Sequence, residues 1–222
     1  MKDLMIIPTY NGIEMLEDLI FSTNADTYLI FTHSNNQDTL DIIESIKADP
    51  AYKNKIIVKD YRKNRGLAKS WNEGINWGIK NEYNVIIVSN DDILFYTKDD
   101  YYRFVKEIYE IQKSNIGVLK LRGHNNKLKR FVSDHGFAIF GVNINAFQKV
   151  GGFDENYIPA YFEDLDYANK LKKHNYVEEV SSIQVDHYGS HTLHSDKLLN
   201  EMNHKFFLKN KEYYYNKWGE NK

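Results

Sequence analysis

Two carboxylates and an amide follow an apolar, β-branched run of the sequence. The run at 85–88 reads Val-Ile-Ile-Val, and Asn90, Asp91 and Asp92 come one residue later. Neighbouring carboxylates repel each other, so they need solvent, a cation or a turn. At a strand end they can hold a hard divalent cation that grips a diphosphate. Asn and Asp are also common turn formers, but apolar residues resume at 93–95, which favours a site over a tight hairpin.

A second acidic cluster lies at the predicted start of a helix. Glu163, Asp164 and Asp166 fall within the stretch YFEDLD at 161–166. Acids in this position complement the positive end of the helix dipole, which is a structural explanation. A functional explanation is a general base or a second anionic wall of a cation site. The segment alone leaves both open.

Two histidines follow in the stretch DHYGSHT at 186–192. Neutral imidazole can complete a divalent cation site with carboxylates, so His187 and His191 are candidate ligands. A single histidine is more often structural, and two in a polar loop improve the case only modestly.

The stretch KNRGLAKSWN at 63–72 indicates a turn that leads into a helix. Asn64 and Gly66 have the turn chemistry, and the helix N-terminus is a place where phosphate can bind. The phosphate-binding and dinucleotide-binding glycine patterns are absent from the sequence. An ordinary strand-to-helix turn explains the stretch equally well.

Lysines and aromatic residues alternate in the C-terminal segment 204–218. Such a helix can lie on a membrane surface or against a partner. More often it packs its aromatic side chains on its own domain, and both interpretations are kept.

The bulk composition narrows the class of protein. The chain has 222 residues, 42% hydrophobic residues, a net charge of −2 and no cysteine. The length fits one globular domain, the charge gives no case for nucleic-acid binding, and disulfides and cysteine-based zinc sites are excluded. The first apolar run reaches only Pro8, which is too short for a signal peptide or a spanning helix. We therefore expect a soluble, cytoplasmic protein.

Short apolar runs alternate with amphipathic segments through the first half. Strands are predicted at 4–7, 27–32, 55–60, 84–89 and 116–121, and helices at 13–22, 38–48, 66–80 and from 98 onward. Apolar strands separated by helices indicate a largely parallel sheet covered on both faces. Ligands of such sheets bind at the carboxyl ends of the strands, where the polar clusters lie.

The alternation breaks after about residue 122. A polar, basic loop is predicted at 122–130, a strand at 135–141, a helix near the acids at 163–166, a strand from 177, and a long helix at 195–218. We expect a domain at 1–194, with a nucleotide-binding half at 1–121 and an acceptor and catalytic half at 122–194. Residues 195–222 are expected to be a helical extension.

Four motifs in this order resemble the inverting nucleotide-sugar glycosyltransferases of the GT-A fold, family 2. They are IIPTYN at the first strand, NRGLAKSWNEGI at the third helix, VSNDDI at the fourth strand, and VGGFDENYIPAYFEDLD before the acidic helix. The resemblance implies an α/β fold of GT-A (Rossmann-like) type, with a mostly parallel central sheet flanked by helices, as a single domain with a C-terminal helix. It also implies a metal-dependent, inverting transfer of a sugar.

The resemblance assigns roles residue by residue. Asp92 matches the metal-binding aspartate and His187 the late histidine of the metal site, with His191 as its rival. Asp164 matches the catalytic base, with Glu163 as its rival. The residues implied around the donor are Pro8, Thr9, Tyr10, Asn11, Thr32, His33, Asn64, Gly66, Lys69, Asn72, Asn90 and Asp91. Those implied on the acceptor side are Gly152, Phe153, Asp166 and His191.

Two positions depart from the family pattern. Asn90 stands where the first aspartate of the metal motif usually lies, which lowers the charge of the cation site. Thr32 or His33 stands where an aspartate usually reads the nucleobase, so UDP-, GDP- and dTDP-linked sugars all stay open as donors. The implied cofactor is Mn²⁺ or Mg²⁺, and the implied acceptor is a glycan or another hydroxyl compound.

Two other functions share the expected sheet. A nucleotidyltransferase makes activated sugars, but the glycine-rich, arginine-bearing signature that usually follows its first strand is absent from PTYNGIEM at 8–15. A non-catalytic nucleotide-sugar-binding protein is the second alternative. Peripheral membrane contact by the C-terminal helix is compatible with any of these functions.

Overall fold

The computed structural model of the chain describes residues 1–10, 13–33, 37–125, 130–132, 137–188 and 197–219. The strands are β1 (Asp3–Thr9), β2 (Thr27–Thr32), β3 (Ile56–Asp60), β4 (Val85–Ser89), β5 (Ile93–Phe95), β6 (Ile116–Asn125), β7 (Arg130–Val132), β8 (Ile139–Val142) and β9 (Val177–His187). The helices are α1 (Ile13–Ser22), α2 (Gln37–Ala48), α3 (Leu67–Lys80), α4 (Lys98–Ile111), α5 (Ile144–Val150), α6 (Glu163–Lys173) and α7 (Lys197–Trp218).

One sheet contains all nine strands found among the described residues. Its order is β3-β2-β1-β4-β8-β6-β9-β5, and β7 pairs with β6. The pairs β3–β2, β2–β1 and β1–β4 are parallel, whereas β4–β8, β8–β6 and β9–β5 are antiparallel. The carboxyl ends of β1, β2, β3 and β4 therefore meet at one edge of the sheet, where a ligand site is expected.

Helices cover both faces of the sheet. Alternate residues of β1 and β2 belong to two core clusters: one includes buried residues of α1, α2 and α4, and the other buried residues of α3, α5 and α6. Every residue of β1, β2 and β4 is buried. Burial on both faces explains why these strands are continuous apolar runs rather than alternating patterns.

The structure confirms the predicted α/β fold. The expectation of a mostly parallel sheet is wrong, because four strand pairs of the described sheet are parallel and four are antiparallel. The predicted helices at 13–22 and 38–48 agree with α1 and α2 to within one residue. Thr97 caps α4 as expected, because its Oγ1 accepts a hydrogen bond from the Asp100 N–H at 3.1 Å. Among the described residues, no helix is long and apolar enough to cross a membrane.

Four elements differ from the sequence-based expectation. The predicted loop at 122–130 is wrong for 122–125 and for Arg130, because β6 continues through residue 125 and pairs with β9 and with β7. The strands β5 (93–95) and β7 (130–132) and the helix α5 (144–150) do not follow from the sequence pattern. A three-residue strand and a seven-residue helix are too short to produce a readable period, and β5 exists through its long-range pairing with β9.

Candidate active site

A cleft of about 460 Å³ opens at the carboxyl ends of the parallel strands. Residues from the ends of β1, β2 and β4, from the turn before α3, from the segment before α6, from β9 and from α7 surround it. They are Pro8, Thr9, Tyr10, His33, Asn64, Gly66, Leu67, Asn90, Asp91, Asp92, Ile158, Pro159, Ala160, His187, Met202, Asn203 and Phe206. One wall is polar and the other, built from the residues at 158–160 and from α7, is mainly apolar.

The acidic cluster after β4 lies on the polar wall. The Asn90 N–H donates to the Ala138 carbonyl at 2.7 Å, which fixes the chain as it leaves the strand. Burial, followed by the charge of Asp92, raises the pKa of Asp91 to about 6. Asp91 and Asp92 lie in a turn, as the turn interpretation predicts. Asn90, Asp91 and Asp92 also line the cleft, so the two interpretations are compatible.

Asp92 and His187 meet at the end of the short strand β5. The pairing of Ile93 with His187 brings the imidazole over the carboxylate, and the Tyr188 N–H donates to the Asp92 carbonyl at 3.1 Å. His187 Nε2 lies 3.3 Å from Asp92 Oδ1. The same buried oxygen receives no hydrogen bond.

This arrangement fits a hard divalent cation. A buried carboxylate oxygen without a hydrogen-bond donor costs free energy unless something positive approaches it. Within the part of the chain that the structure describes, no group of three or more potential metal ligands is assembled. Mg²⁺ is usually bound through one or two carboxylates and takes its other ligands from substrate phosphates and water. Asp92 supplies such a carboxylate, and His187 lies beside it as a second potential ligand.

His33 lines the cleft with both ring nitrogens already in contact with protein atoms. Nε2 lies 2.8 Å from Ser70 Oγ and Nδ1 lies 3.2 Å from the Lys63 carbonyl. Burial lowers the pKa of His33, so the ring is neutral near pH 7. Thr32 lies outside the cleft lining, and its hydroxyl donates to Asp60 Oδ1 at 2.8 Å. An aspartate at this position would offer a carboxylate oxygen to the nucleobase. Neither Thr32 nor His33 offers such an oxygen, and the polar atoms of both already have protein partners.

The N-terminus of α3 is partly occupied by the chain itself. Gly66 has a φ of 86°, which favours glycine, and its N–H donates to Asn64 Oδ1 at 2.9 Å. The Leu67 N–H donates to the Pro159 carbonyl at 2.9 Å. Asn64 and Gly66 line the cleft. The first amide of the helix is hydrogen-bonded to the opposite wall and is not available to a phosphate.

Two predicted donor residues, Lys69 and Asn72, lie outside the cleft lining. The Asn72 side-chain amide donates to the Phe153 carbonyl at 2.8 Å, and its Oδ1 accepts from the Phe153 N–H at 2.7 Å. A Cβ on Gly152 would lie 2.5 Å from that Oδ1. Lys69 Nζ lies 4.0 Å from Glu155 Oε2. These contacts join α3 to the segment at 152–155, which was expected to face the acceptor. Both stretches therefore have a structural role, which is to hold the helix and this segment together.

The two adjacent acids at the start of α6 differ in environment. Glu163 is 5% exposed, its Oε2 has no hydrogen-bond partner, and burial together with the charge of Asp164 raises its pKa to about 8. Asp164 is only half-buried and accepts a hydrogen bond from the Leu165 N–H at 2.8 Å. Burial also raises the pKa of Asp164. Near pH 7 Glu163 is therefore protonated, and Asp164 is the better candidate for a base.

Asp166 is fully buried and contacts the C-terminal helix. Its Oδ1 accepts hydrogen bonds from Tyr157 OH at 3.1 Å and Trp218 Nε1 at 2.7 Å. Lys217 Nζ lies 2.6 Å from the same oxygen. Asp166, Gly152 and Phe153, all predicted on the acceptor side, are absent from the cleft lining. Asn11 and His191 lie outside the described residues.

The sequence of the chain matches the family model described as glycosyl transferase family 2 over residues 5–177. The chain belongs to this family. The matched range includes β1 through α6, and α7 lies beyond it. A comparison with curated proteins found no match.

Solved structures of glycosyltransferases share the fold at low sequence identity. The mannosyltransferase PcManGT from Pyrobaculum calidifontis, in complex with GDP-Man and Mn²⁺, is 13% identical with a TM-score of 0.61, over 84% of this chain and 56% of that one. S. aureus TarS is 17% identical with a TM-score of 0.59, over 83% of this chain and 36% of that one. This chain thus spans well under two thirds of both proteins.

A third structure is covered more fully. Glucosyl-3-phosphoglycerate synthase from Mycobacterium tuberculosis, in complex with Mn²⁺, UDP and phosphoglyceric acid, is 9% identical with a TM-score of 0.59. The similarity covers 91% of this chain and 73% of that one. At these identities the likeness supports the fold of the family 2 chain.

Sequence reasoning missed the apolar wall of the cleft. Ile158, Pro159, Ala160, Met202 and Phe206 line it. The proline marks an irregular segment in the sequence, but no residue pattern of α7 distinguishes its cleft-facing side from its other sides. The cleft thus has a polar wall that includes Asn90, Asp91, Asp92 and His187, and an apolar wall whose residues 158–160 precede the helix α6 in the chain.

Proposed function

We propose that the chain transfers a sugar from a nucleoside-diphosphate donor to an acceptor hydroxyl, with inversion at the anomeric carbon and with a divalent cation. One observation carries the proposal: Asn90, Asp91, Asp92 and His187 line one cleft, and its opposite wall includes residues 158–160, which come shortly before Glu163 and Asp164 in the chain. The two acids are not themselves in the cleft lining. Family membership and the shared fold support the same reaction class.

Asp92 and His187 are the residues that would hold the cation, Mn²⁺ or Mg²⁺. When bound there, the cation supplies positive charge against the diphosphate leaving group. Asn90 adds an amide instead of a second strong anionic ligand. We therefore expect weaker cation binding without donor than with it, because the donor phosphates would complete the ligand set.

The nucleoside end of the donor would lie against Pro8, Thr9 and Tyr10 of β1 and the turn at Asn64 and Gly66. These residues line the cleft next to the acidic wall. Because the His33 nitrogens contact Ser70 and Lys63, backbone groups near Pro8 are better placed to select the nucleobase. UDP-, GDP- and dTDP-linked sugars are the donors to compare.

Asp164 would act as the base. An acceptor hydroxyl is a poor nucleophile near pH 7, and a positioned base contributes about 10²–10⁴-fold to the rate. The hydroxyl oxygen attacks the anomeric carbon, the bond to the diphosphate oxygen breaks, and Asp164 takes the hydroxyl proton. Its raised pKa brings its basicity closer to neutral pH, which favours proton transfer. The acceptor class is a glycan or another hydroxyl compound.

The first experiment is a donor panel with the full chain. UDP-, GDP- and dTDP-sugars are added with Mn²⁺, Mg²⁺ or EDTA, and the melting temperature identifies the bound donor. Released nucleoside diphosphate is then measured with and without hydroxyl acceptors, and NMR assigns the anomeric configuration of the product. We expect one nucleobase class to raise the melting temperature only with metal and to release nucleoside diphosphate.

Other outcomes select other functions. Release of inorganic diphosphate from a sugar phosphate and a nucleoside triphosphate would identify a nucleotidyltransferase. Donor binding without hydrolysis or transfer to any acceptor would identify a nucleotide-sugar-binding protein. A product that keeps the donor configuration would exclude the single displacement by way of Asp164.

A further inference from the structure

The helix α7 lies beyond the family match but contacts the segment that leads to the proposed base. Its central contact is Asn210, which is 1% exposed. The Asn210 side-chain Nδ2 donates to the carbonyls of Ala160 at 2.8 Å and Tyr161 at 3.3 Å, and lies 3.5 Å from the carbonyl of Ile158. A buried amide is costly unless it is hydrogen-bonded, and these carbonyls, all from one segment, supply the acceptors.

The segment needs an external support because its backbone is irregular. Tyr161 has a φ of 81° and Phe162 a φ of 73°, a region that bulky side chains rarely adopt. Such conformations persist when the surrounding structure determines them, and they cluster at functional sites. Glu163 follows immediately as the first residue of α6.

Aromatic side chains of α7 pack on the same two residues. The Phe207 ring centroid lies 5.6 Å from that of Tyr161 and 5.2 Å from that of Phe162. The Tyr214 ring lies 5.4 Å from Phe162. These distances are typical of attractive aromatic pairs. The helix therefore holds the segment through hydrogen bonds to its backbone and ring contacts to its side chains.

The opposite side of the segment faces the cleft. Ile158, Pro159 and Ala160 line the cavity, and the Pro159 carbonyl accepts from the Leu67 N–H of α3. The segment is thus enclosed between α7 and the donor-binding half, and Asp164 lies three residues after Tyr161. A small displacement of the segment would move Asp164 relative to the cleft.

We propose that Asn210 is a positioning residue for the proposed base. The helix α7 would then contribute to the geometry of the active site by holding the segment that precedes Asp164. The proposal rests on the function proposed above. Asn210 acts through the backbone of 158–161, so its loss would affect transfer more than donor binding. A misplacement of about 1 Å can cost on the order of 10²-fold in rate.

The test compares Asn210→Ala with Asn216→Ala, which is the same change at an exposed position of the same helix. Turnover, donor dissociation constant, melting temperature and hydrogen exchange of residues 158–166 are measured for both. For Asn210→Ala we expect turnover to fall at least about tenfold, the donor constant to change less than about twofold, and exchange at 160–166 to accelerate. Asn216→Ala should resemble the wild type in all four.

Several results would overturn the proposal. These are unchanged turnover and exchange in Asn210→Ala, or equal losses of turnover and donor affinity. If Asn210→Ala does not fold, Asn210→Ser, which keeps one hydrogen-bond donor, replaces it. This variant should lose turnover by a smaller factor, again without a loss of donor affinity. Unchanged turnover in Asn210→Ser would likewise overturn the proposal. Hydrogen exchange can be measured without turnover. If exchange is faster in Asn210→Ala but the wild type transfers no sugar, the proposed function is rejected, whereas the structural contact of Asn210 is supported.

Discussion

The polar side chains after β4 remain together in one cleft, whereas the three carboxylates at the start of α6 occupy three different environments. Asn90, Asp91 and Asp92 all line the cavity. Of the second cluster, Glu163 is buried and protonated near pH 7, Asp164 is half-buried, and Asp166 is fully buried against α7.

The difference has a geometric cause. A strand that ends at a sheet edge delivers the residues after it to the same place, because the neighbouring strand ends converge there. Successive residues of a helix point about 100° apart, so acids at its first, second and fourth positions face different neighbours. Two clusters of similar composition therefore differ in use. Residues after a strand end can share one function, whereas acids on successive positions of a helix have separate functions.

Among variants that test this difference between the two clusters, Asp164→Asn should have the largest effect on turnover. Removal of the base should lower turnover by at least about a hundredfold, since a positioned base contributes about 10²–10⁴-fold. Donor affinity should stay within about twofold, because the proposed donor contacts lie elsewhere. Steady-state kinetics and calorimetric donor titration measure the two quantities. Near-normal turnover would remove Asp164 from this role.

Asp92→Asn should produce the opposite pattern. Loss of a direct ligand should weaken metal affinity at least about tenfold, because even outer-shell partners of metal ligands cost 10–100-fold. Donor binding with Mn²⁺ should weaken, and donor binding in EDTA should not change. Titration of Mn²⁺ in the presence of donor measures the effect, with Asp164→Asn as the matched control. Equal metal dependence in wild type and variant would contradict the site.

Asp166→Asn should reduce stability rather than chemistry. The amide would place a donor or a neutral acceptor against Lys217 and Trp218, and a hydrogen bond to a charged group contributes about 1.5–3 kcal/mol. The free energy of unfolding in urea should fall by about that amount. Asp99→Asn, an exposed acid in the first turn of α4, is the control and should change it by under about 1 kcal/mol. An equal effect in both would reject the buried contact as the cause.

Glu163→Gln should have the smallest effect on turnover, within about threefold, because Glu163 is already uncharged near pH 7. Its effect on stability depends on pH. Between about 4.5 and 8 the unfolded chain releases the Glu163 proton while the folded chain keeps it, so stability falls as pH rises through this window.

The glutamine variant removes that loss. Its unfolding free energy should exceed that of the wild type above pH 8 by on the order of a few kcal/mol and converge with it below about pH 4.5. Urea unfolding at several pH values measures the difference. A hundredfold loss of turnover in this variant would exchange the roles of Glu163 and Asp164.

The predictable part of the site follows from the strand ends. Apolar runs mark the strands and a parallel sheet aligns their ends, so polar residues after β1 and β4 are expected at one edge of the sheet, where Tyr10, Asn90 and Asp92 line the cleft. The position of His187 depends on the pairing of β9 with β5. The remainder depends on contacts distant in sequence. Nothing local reveals that Asn72 binds the Phe153 backbone, 81 residues away.

The C-terminal helix was harder still to interpret from sequence. The lysine and aromatic residues of α7 are distributed around all sides of the helix without a clear apolar stripe. The periodicity of the sequence therefore does not identify the side that packs. The alternative that it packs on its own domain agrees with the contacts of Asn210 and Trp218. A buried asparagine in a polar helix gives no sequence signal, because its partners are backbone carbonyls.

The junction between Asn72 and Phe153 also has a mechanical consequence. Two reciprocal hydrogen bonds, reinforced by the Trp71 and Phe153 rings 5.0 Å apart, join α3 to the segment before α6. These contacts oppose relative motion of the two parts of the chain at this junction. We expect them to move as one rigid body, with distances between spin labels on α2 and α6 unchanged when donor binds.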